Sequence, residues 1–376
     1  MTIIVPHGFE PNYTLGFVKG LVAHNIDLCV ISSDIDQLRL TKIGINNINL
    51  RGSQDHNRTF LSKAINIIKY YAYLLIYLLQ NQRNVIHFTG LFGNSSILYD
   101  GIILNLFFKL VSSRYIYTVH NILPHSKQNS QLFRWIYRII YIVPDILLVH
   151  THLAKQQLVE KFHVPERKII VISIGLNEEI PVTKITQNEA KKHLGFNSQD
   201  NIVLFFGKAD TYKGLDILIE AFDQLNLPSM KLLIAGWFPD SSYRQQITSA
   251  INNADHRAAI YLHEAFIPND EVEYYFKSAD VLVLPYRNIY QSGVVFLCFN
   301  FGLPIVSTPV GSIPEFIGDD MGIITETNDP QGIADGLRHF FEAKDKFNRE
   351  IIAAKAKKYK WENLCKALVP LYKERY

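Results

Sequence analysis

Short apolar runs alternate along the chain with longer stretches in which apolar residues recur at helical spacing. Thr2–Pro6, Asp27–Ser32, Val85–Phe88, Tyr115–Val119, Ile146–His150 and Lys168–Ile172 read as strands, and Leu15–His24 as the first of the helices between them. Near Asn177–Ala190 the periodicity stops and Pro181 interrupts. A second series follows: strands Ile202–Phe206, Lys231–Ala235, Ile260–His263 and Val281–Leu284, and helices Gly214–Asp223, Ser241–Asn252 and Asp270–Ser278. Strands alternating with helices imply a parallel sheet covered on both faces. The expected architecture is therefore α/β, with two Rossmann-like doubly wound domains at 1–182 and 183–356 and a C-terminal segment, 357–376.

A length of 376 residues agrees with two cores, and 48% apolar with 19% charged residues marks an ordinary globular chain. Cys29, Cys298 and Cys365 form no CxxC pair and no metal-ligand spacing. The chain opens directly on a strand without a signal-peptide pattern, and its longest uncharged apolar run, Tyr70–Leu79, is about half the roughly 20 residues a membrane span needs. A reducing, cytoplasmic location is expected. Net charge is +3, divided as +6 over residues 1–180 and −3 over the remainder. The basic half suits an anionic acceptor or an anionic membrane surface, although scattered surface charge reads the same way. Lys63–Tyr77 and Arg134–Tyr141, both aromatic and basic, could lie on such a surface, with peripheral membrane contact, or pack as core helices. No basic cluster with interleaved stacking aromatics suggests nucleic acid.

Two segments carry the chemistry. In "FFGKADTYKG" from Phe205 to Gly214, Lys208 and Lys213 lie across a turn where two ammonium groups can meet one polyanion. In the second, Gln291, Ser292, Gly293 and Val294 precede or open an apolar helix whose first N–H groups can face a phosphate. Both follow strands, where doubly wound sheets bind ligands.

With these motifs the chain resembles the retaining GT-B glycosyltransferases of family 4, the glycosyl transferases group 1. The likeness lies in Gly207, Lys208, Lys213 and Gly214, in the "GLPIV" of Gly302–Val306, and in "VGSIPE" from Val310 to Glu315. It implies transfer of a hexose from a nucleoside diphosphate sugar to a glycan or lipid-linked glycan, in polysaccharide or glycoconjugate biosynthesis, with no metal or other cofactor. The last segment resembles the family's closing helix, which crosses back onto the first domain. The chain looks like a divergent branch: the two glutamates that members usually carry would fall near Ile289 and Leu297, and Gln291, Ser292 and backbone amides take their place.

The resemblance further implies a donor site of Gly207, Lys208, Lys213, Phe266, Ile267, Gln291, Ser292, Gly293 and Val294, with Phe266 and Ile267 receiving the base. His120, after a buried strand, would face the donor sugar or acceptor as a catalytic residue beside the two lysines; a satisfied structural histidine is the alternative. Acceptor-binding candidates are His7, Glu10, Asn12 and Tyr13 in the first loop, Gly90 and Asn94 in another, and His125. Glu10 would be the general base should the enzyme invert. Asp34-Ile35-Asp36 matches a metal-binding DxD in the wrong architecture and reads as a solvated turn, so no metal site is expected. A nucleotide-sugar epimerase and a non-catalytic nucleotide- or glycan-binding protein stay open as alternatives.

Overall fold

The computed structural model describes residues 1–6, 11–55, 57–91, 97–123, 130–225 and 229–373. The chain divides into two compact units, Met1–Gly175 with Lys360–Tyr376, and Leu176–Tyr359. The sequence reading had put the divisions at 182/183 and 356/357.

The first unit runs β1 (Thr2–Val5), α1 (Pro11–Val22), β2 (Leu28–Ser32), α2 (Asp34–Lys42), β3 (Asn47–Asn49), α3 (Phe60–Gln80) and β4 (Val85–Phe88). A π-helical turn, Tyr99–Leu104, then leads into α4 (Asn105–Val111), followed by β5 (Arg114–Val119), α5 (Gln131–Ile142), β6 (Ile146–Val149), α6 (His152–Phe162) and β7 (Ile169–Val171). Its strands form one parallel sheet, ordered β3-β2-β1-β4-β5-β6-β7. The central strands are buried along their whole length, which is why they read as unbroken apolar runs.

The second unit runs α7 (Gln187–His193), β8 (Asn201–Phe206), α8 (Leu215–Asp223), β9 (Met230–Gly236), α9 (Ser241–Asn253), β10 (Ile260–Glu264), α10 (Val272–Ser278) and β11 (Val281–Leu284). It continues through α11 (Gly293–Asn300), β12 (Ile305–Ser307), β13 (Gly322–Ile324), α12 (Pro330–Glu342) and α13 (Arg349–Ala356). Its parallel sheet is ordered β10-β9-β8-β11-β12-β13. Strand order reverses between β1 and β4 in one sheet and between β8 and β11 in the other. Those are the switch points outside which such sheets hold ligands.

After α13 the chain returns to the first unit as α14 (Trp361–Lys366) and α15 (Val369–Lys373). The sequence predicted one closing helix. Two form because Pro370 has no N–H with which to carry the helical hydrogen-bond ladder on past Lys366. Trp361 is sunk against α1: a Cβ added at Gly16 would lie 2.0 Å from its Nε1, at Gly20 2.6 Å from its carbonyl oxygen, and at Gly175 2.3 Å from its Cε2. Two glycines four apart on α1 thus open the slot that the indole fills. Arg114 Nη1 donates to the carbonyl of Leu371 at 2.6 Å, and Tyr372 Oη lies 3.0 Å from His87 Nδ1.

Three expectations change. Helix α1 begins at Pro11, not at Leu15, since proline suits the first helical position; Asn12 and Tyr13 therefore sit on a helix and not in a loop. Asp34 and Asp36 occupy the first turn of α2, where carboxylates favour the positive helix end, and Ser33 Oγ donates to Asp36 at 2.8 Å. They are helix-starting acids and not a turn. Strands β3, β12 and β13, each three residues long, were not among the expected strands, and β3 and β13 lie at sheet edges.

Candidate functional site

In the second unit the turn after β8 and the loop after β11 meet at the switch point. Gly214, at φ +67°, starts α8, and a Cβ there would fall 2.0 Å from the carbonyl oxygen of Pro285. Glycine is what lets the two segments touch. Arg287 secures the contact: it forms a two-pronged pair with Asp216 (2.8 and 2.5 Å), donates to the carbonyl of Thr211 at 2.9 Å, and its own N–H donates to the carbonyl of Tyr212. Tyr243 Oη donates to the same carboxylate at 2.8 Å.

Held in that turn, Lys213 is only 7% exposed. Its ammonium lies 3.5 Å from the point where a Cβ on Gly207 would stand, and 5.7 Å from the centre of the Tyr286 ring. Burial, helped by the neighbouring Lys208 ammonium and opposed by Asp210, pushes the Lys213 ammonium down to about 8. A buried cation with this little compensation favours an anion at the site. Lys208 is half-exposed and pairs with Asp210 at 2.8 Å.

Tyr286 is buried, and its hydroxyl meets Ser292 Oγ at 3.1 Å. Ser292 precedes α11 without capping it through its side chain. Gly293 is exposed, and a Cβ there would meet no atom within 4 Å. A Val294 methyl stands 3.9 Å from the Cβ position of Gly207. The "VGSIPE" segment props this loop from behind: Gly311, at φ +60°, approaches so closely that a Cβ would fall 1.8 Å from the carbonyl oxygen of Ile289, and Ser312 Oγ donates to the carbonyl of Tyr290 at 2.5 Å.

Gly207, Lys213, Ser292, Gly293 and Val294 are thus brought together, with Lys208 beside them and Gln291 half-buried in the same loop. Phe266 and Ile267 follow β10, two strands from β8; Phe266 is 75% exposed and Ile267 half-buried. Trp237, Tyr286 and Arg287 had not been singled out. Trp237 follows β9, is partly exposed, and accepts from the N–H of Ala209 at 2.8 Å; an aromatic directly after the strand in "AGWF" was the available signal. Ile289 is half-buried and Leu297 lies in the core, so the usual glutamate positions belong to supporting structure.

In the first unit, His120 follows β5. Its Nδ1 is 3.3 Å from Nε2 of His150, whose Nδ1 lies 2.9 Å from the carbonyl oxygen of Ile172. Tyr13, 6% exposed, sets its ring edge-on to His120, His150 and Trp361. Expected at the acceptor, it is instead a core side chain that walls His120. His87 joins Thr118 Oγ1 at 2.7 Å and Tyr372. Burial lowers His87 to about 3 and His150 to about 4, so both are neutral near pH 7. Asn12 is exposed and accepts from Arg39 at 3.0 Å, and Gly90 is buried just past β4. His7, Glu10, Asn94 and His125 lie outside the described residues. Among the described residues no group of His, Cys, Asp and Glu is arranged to hold a metal ion.

Comparison with known proteins agrees with the architecture of the two sheets. The chain has the GT-B fold: it is similar, at TM-score 0.74 and 17% identity, to a glycosyltransferase from Rickettsia africae over 99% of this chain and 97% of that one. It is also similar, at TM-score 0.75 and 12% identity, to Anabaena HepE in complex with UDP over 98% of both chains. Residues 186–358 match the model of the glycosyl transferases group 1. An uncharacterized glycosyltransferase of Methanocaldococcus jannaschii is 29% identical over 231 residues, 58% of this chain and 57% of that protein. The chain spans about half the length of the curated relatives it matches first.

Proposed function

We propose that this protein is a glycosyltransferase that moves a hexose from a nucleoside diphosphate sugar to a glycan or lipid-linked glycan acceptor in polysaccharide or glycoconjugate biosynthesis. The observation that carries the reading is the buried Lys213 ammonium beneath Gly207, next to the open approach to α11 at the switch point of the second sheet. As the bond between sugar and diphosphate breaks, the leaving group gains negative charge. Lys213, Lys208 and the first N–H groups of α11 then interact more strongly with the transition state than with the bound donor. In this account the lysines take the part a divalent cation plays elsewhere, so transfer is metal-independent, with retention at the anomeric carbon.

That HepE, which shares the fold, forms a complex with UDP supports a nucleotide as a ligand. Phe266 and Trp237, both at the strand ends of the second sheet, supply aromatic surface for the base. His120 serves the sugar or the acceptor from the first unit. Action on a lipid-linked acceptor fits a cytoplasmic protein working at a membrane face. The test is incubation with a panel of UDP-, GDP- and ADP-sugars, measuring release of the nucleoside diphosphate. Slow release from one donor, accelerated by an acceptor glycan, is expected; an isomerised donor or binding without turnover overturns transfer.

A further inference from the structure

Sixteen of the twenty-five large hydrophobic side chains exposed among the described residues fall between Phe60 and Ile142, on α3, on the π-turn with α4 and the residue leading into it, and on α5. The excess is large for singles scattered over a surface, which need no explanation. These elements share one face of the first sheet. The connections from β3 to β4, β4 to β5 and β5 to β6 all step in one direction through the strand order, so right-handed crossovers put α3, α4 and α5 on the same side, opposite α1 and α2. Their contacts agree. Tyr71 of α3 packs its ring 4.4 Å from Tyr99 and donates to Asp100 at 2.5 Å, while Asn105 Nδ2 donates to the carbonyl of Ile140 in α5 at 3.2 Å.

The outward surface of this layer is led by Phe60 (87% exposed), Leu110 (82%), Ile68 (69%), Leu132 (67%) and Trp135 (64%). Its charges are of one sign. Lys63, Lys69, Lys109, Arg134 and Arg138 are the ionisable cations of these helices, and the single carboxylate, Asp100, is fully buried. Arg138 stands over the Trp135 ring at 5.5 Å, and Lys109 pairs with Asp145. No helix among the described residues is long and apolar enough to cross a membrane. Apolar side chains mixed with cations, on helices that themselves carry no exposed acid, match the boundary between acyl chains and anionic headgroups.

We infer that α3, α4 and α5 form a docking face by which the first unit lies on an anionic phospholipid surface, the apolar side chains entering the acyl boundary and Lys69, Arg134 and Arg138 meeting lipid phosphates. The inference goes beyond the proposed transfer reaction, because it needs neither donor nor acceptor. A bilayer, and not a second copy of the chain, is the occupant chosen, since two like faces would bring their cations together.

The experiment is co-sedimentation of the full chain with phosphatidylcholine vesicles, with and without phosphatidylglycerol, while Trp135 emission is followed against a Trp135→Phe control. Binding to the phosphatidylglycerol vesicles, a blue shift carried by Trp135, and weakening by salt are expected. Arg134→Glu with Arg138→Glu should reduce partitioning by about tenfold or more, and Leu110→Asp should reduce it without changing the circular dichroism spectrum. Nucleoside diphosphate affinity, measured by calorimetry on the same variants, should stay unchanged, which separates failure of docking from failure of the donor reading. Absence of binding, equal binding to both vesicle types, or a salt-resistant dimer in sedimentation velocity that Leu110→Asp disrupts overturns the inference.

Discussion

Nδ1 of His120 stands 3.3 Å from Nε2 of His150, and the second histidine decides which way that proton points. His150 Nδ1 faces a carbonyl oxygen, that of Ile172, so it must carry the hydrogen. Burial keeps His150 neutral, which leaves its Nε2 as an acceptor. His120 therefore donates through Nδ1, and in its neutral form Nε2 bears the lone pair.

On this basis His120→Ala should lower kcat/KM by about 10²-fold, about 2.7 kcal/mol of transition-state stabilisation, and leave nucleoside diphosphate affinity within about twofold, as read by calorimetry. His150→Phe keeps the bulk and removes the acceptor. It should reduce kcat by about tenfold with little change in KM, since only orientation is lost. Weakened nucleotide binding with normal turnover in either variant contradicts the assignment.

The same buried histidines set an acid limit on stability. The unfolded chain takes up a proton on each near pH 6.5, whereas folded His150 and His87 resist down to about 4 and about 3. Their contribution is complete above pH 6.5 and lost as pH falls toward 4 and then 3. Urea unfolding should show that decline, and it should be shallower in His150→Phe.

Lys213 makes donor affinity depend on alkaline pH. Its ammonium is lowered from 10.5 to about 8, and a bound diphosphate favours the charged form. Affinity should be complete below about pH 8 and weaken as pH rises through it. In Lys213→Ala the affinity should be lower throughout and that inflection should vanish. Titrations of nucleoside diphosphate at several pH values check both.

At the start of α11 the prediction separates folding from binding. Space is open around a Cβ at Gly293, so Gly293→Val should keep Tm within about 2 °C of the parent and weaken donor binding by more than about tenfold, its bulk standing where a phosphate would approach. Leu297→Glu should do the reverse of restoring a family contact. Leu297 is 9% exposed, so a carboxylate there is buried without a partner and Tm should drop.

The Trp361 slot supplies a stability test remote from the chemistry. Gly20→Ala drives a Cβ to within 2.6 Å of the Trp361 carbonyl oxygen and 2.7 Å of Cys365 Sγ, and should lower Tm by several degrees. Trp361→Ala, which empties the slot, should cost about 3–5 kcal/mol in denaturant unfolding.

Much of the fold was legible because parallel strands buried on both faces leave unbroken apolar runs, as at Val85–Phe88 and Val281–Leu284, both found at their observed limits. What stayed hidden depends on partners distant in sequence. The polar β3 pairs only with β2, and Tyr286 and Arg287 matter because Lys213 and Asp216 lie across from them, more than seventy residues earlier. His150 was read as the end of a strand, and its link to His120 arises from neighbouring parallel strands. Lys213 was legible from the local turn, but its burial under Gly207 was not.

The most direct measurement is release of nucleoside diphosphate from the panel of UDP-, GDP- and ADP-sugars, by the parent and by Lys213→Ala, with and without a glycan or lipid-linked acceptor. The account predicts one preferred donor, turnover raised by acceptor, and a loss of at least about 10²-fold in kcat/KM for Lys213→Ala with the fold intact. Equal turnover in parent and variant, or a donor returned isomerised and not cleaved, would contradict it.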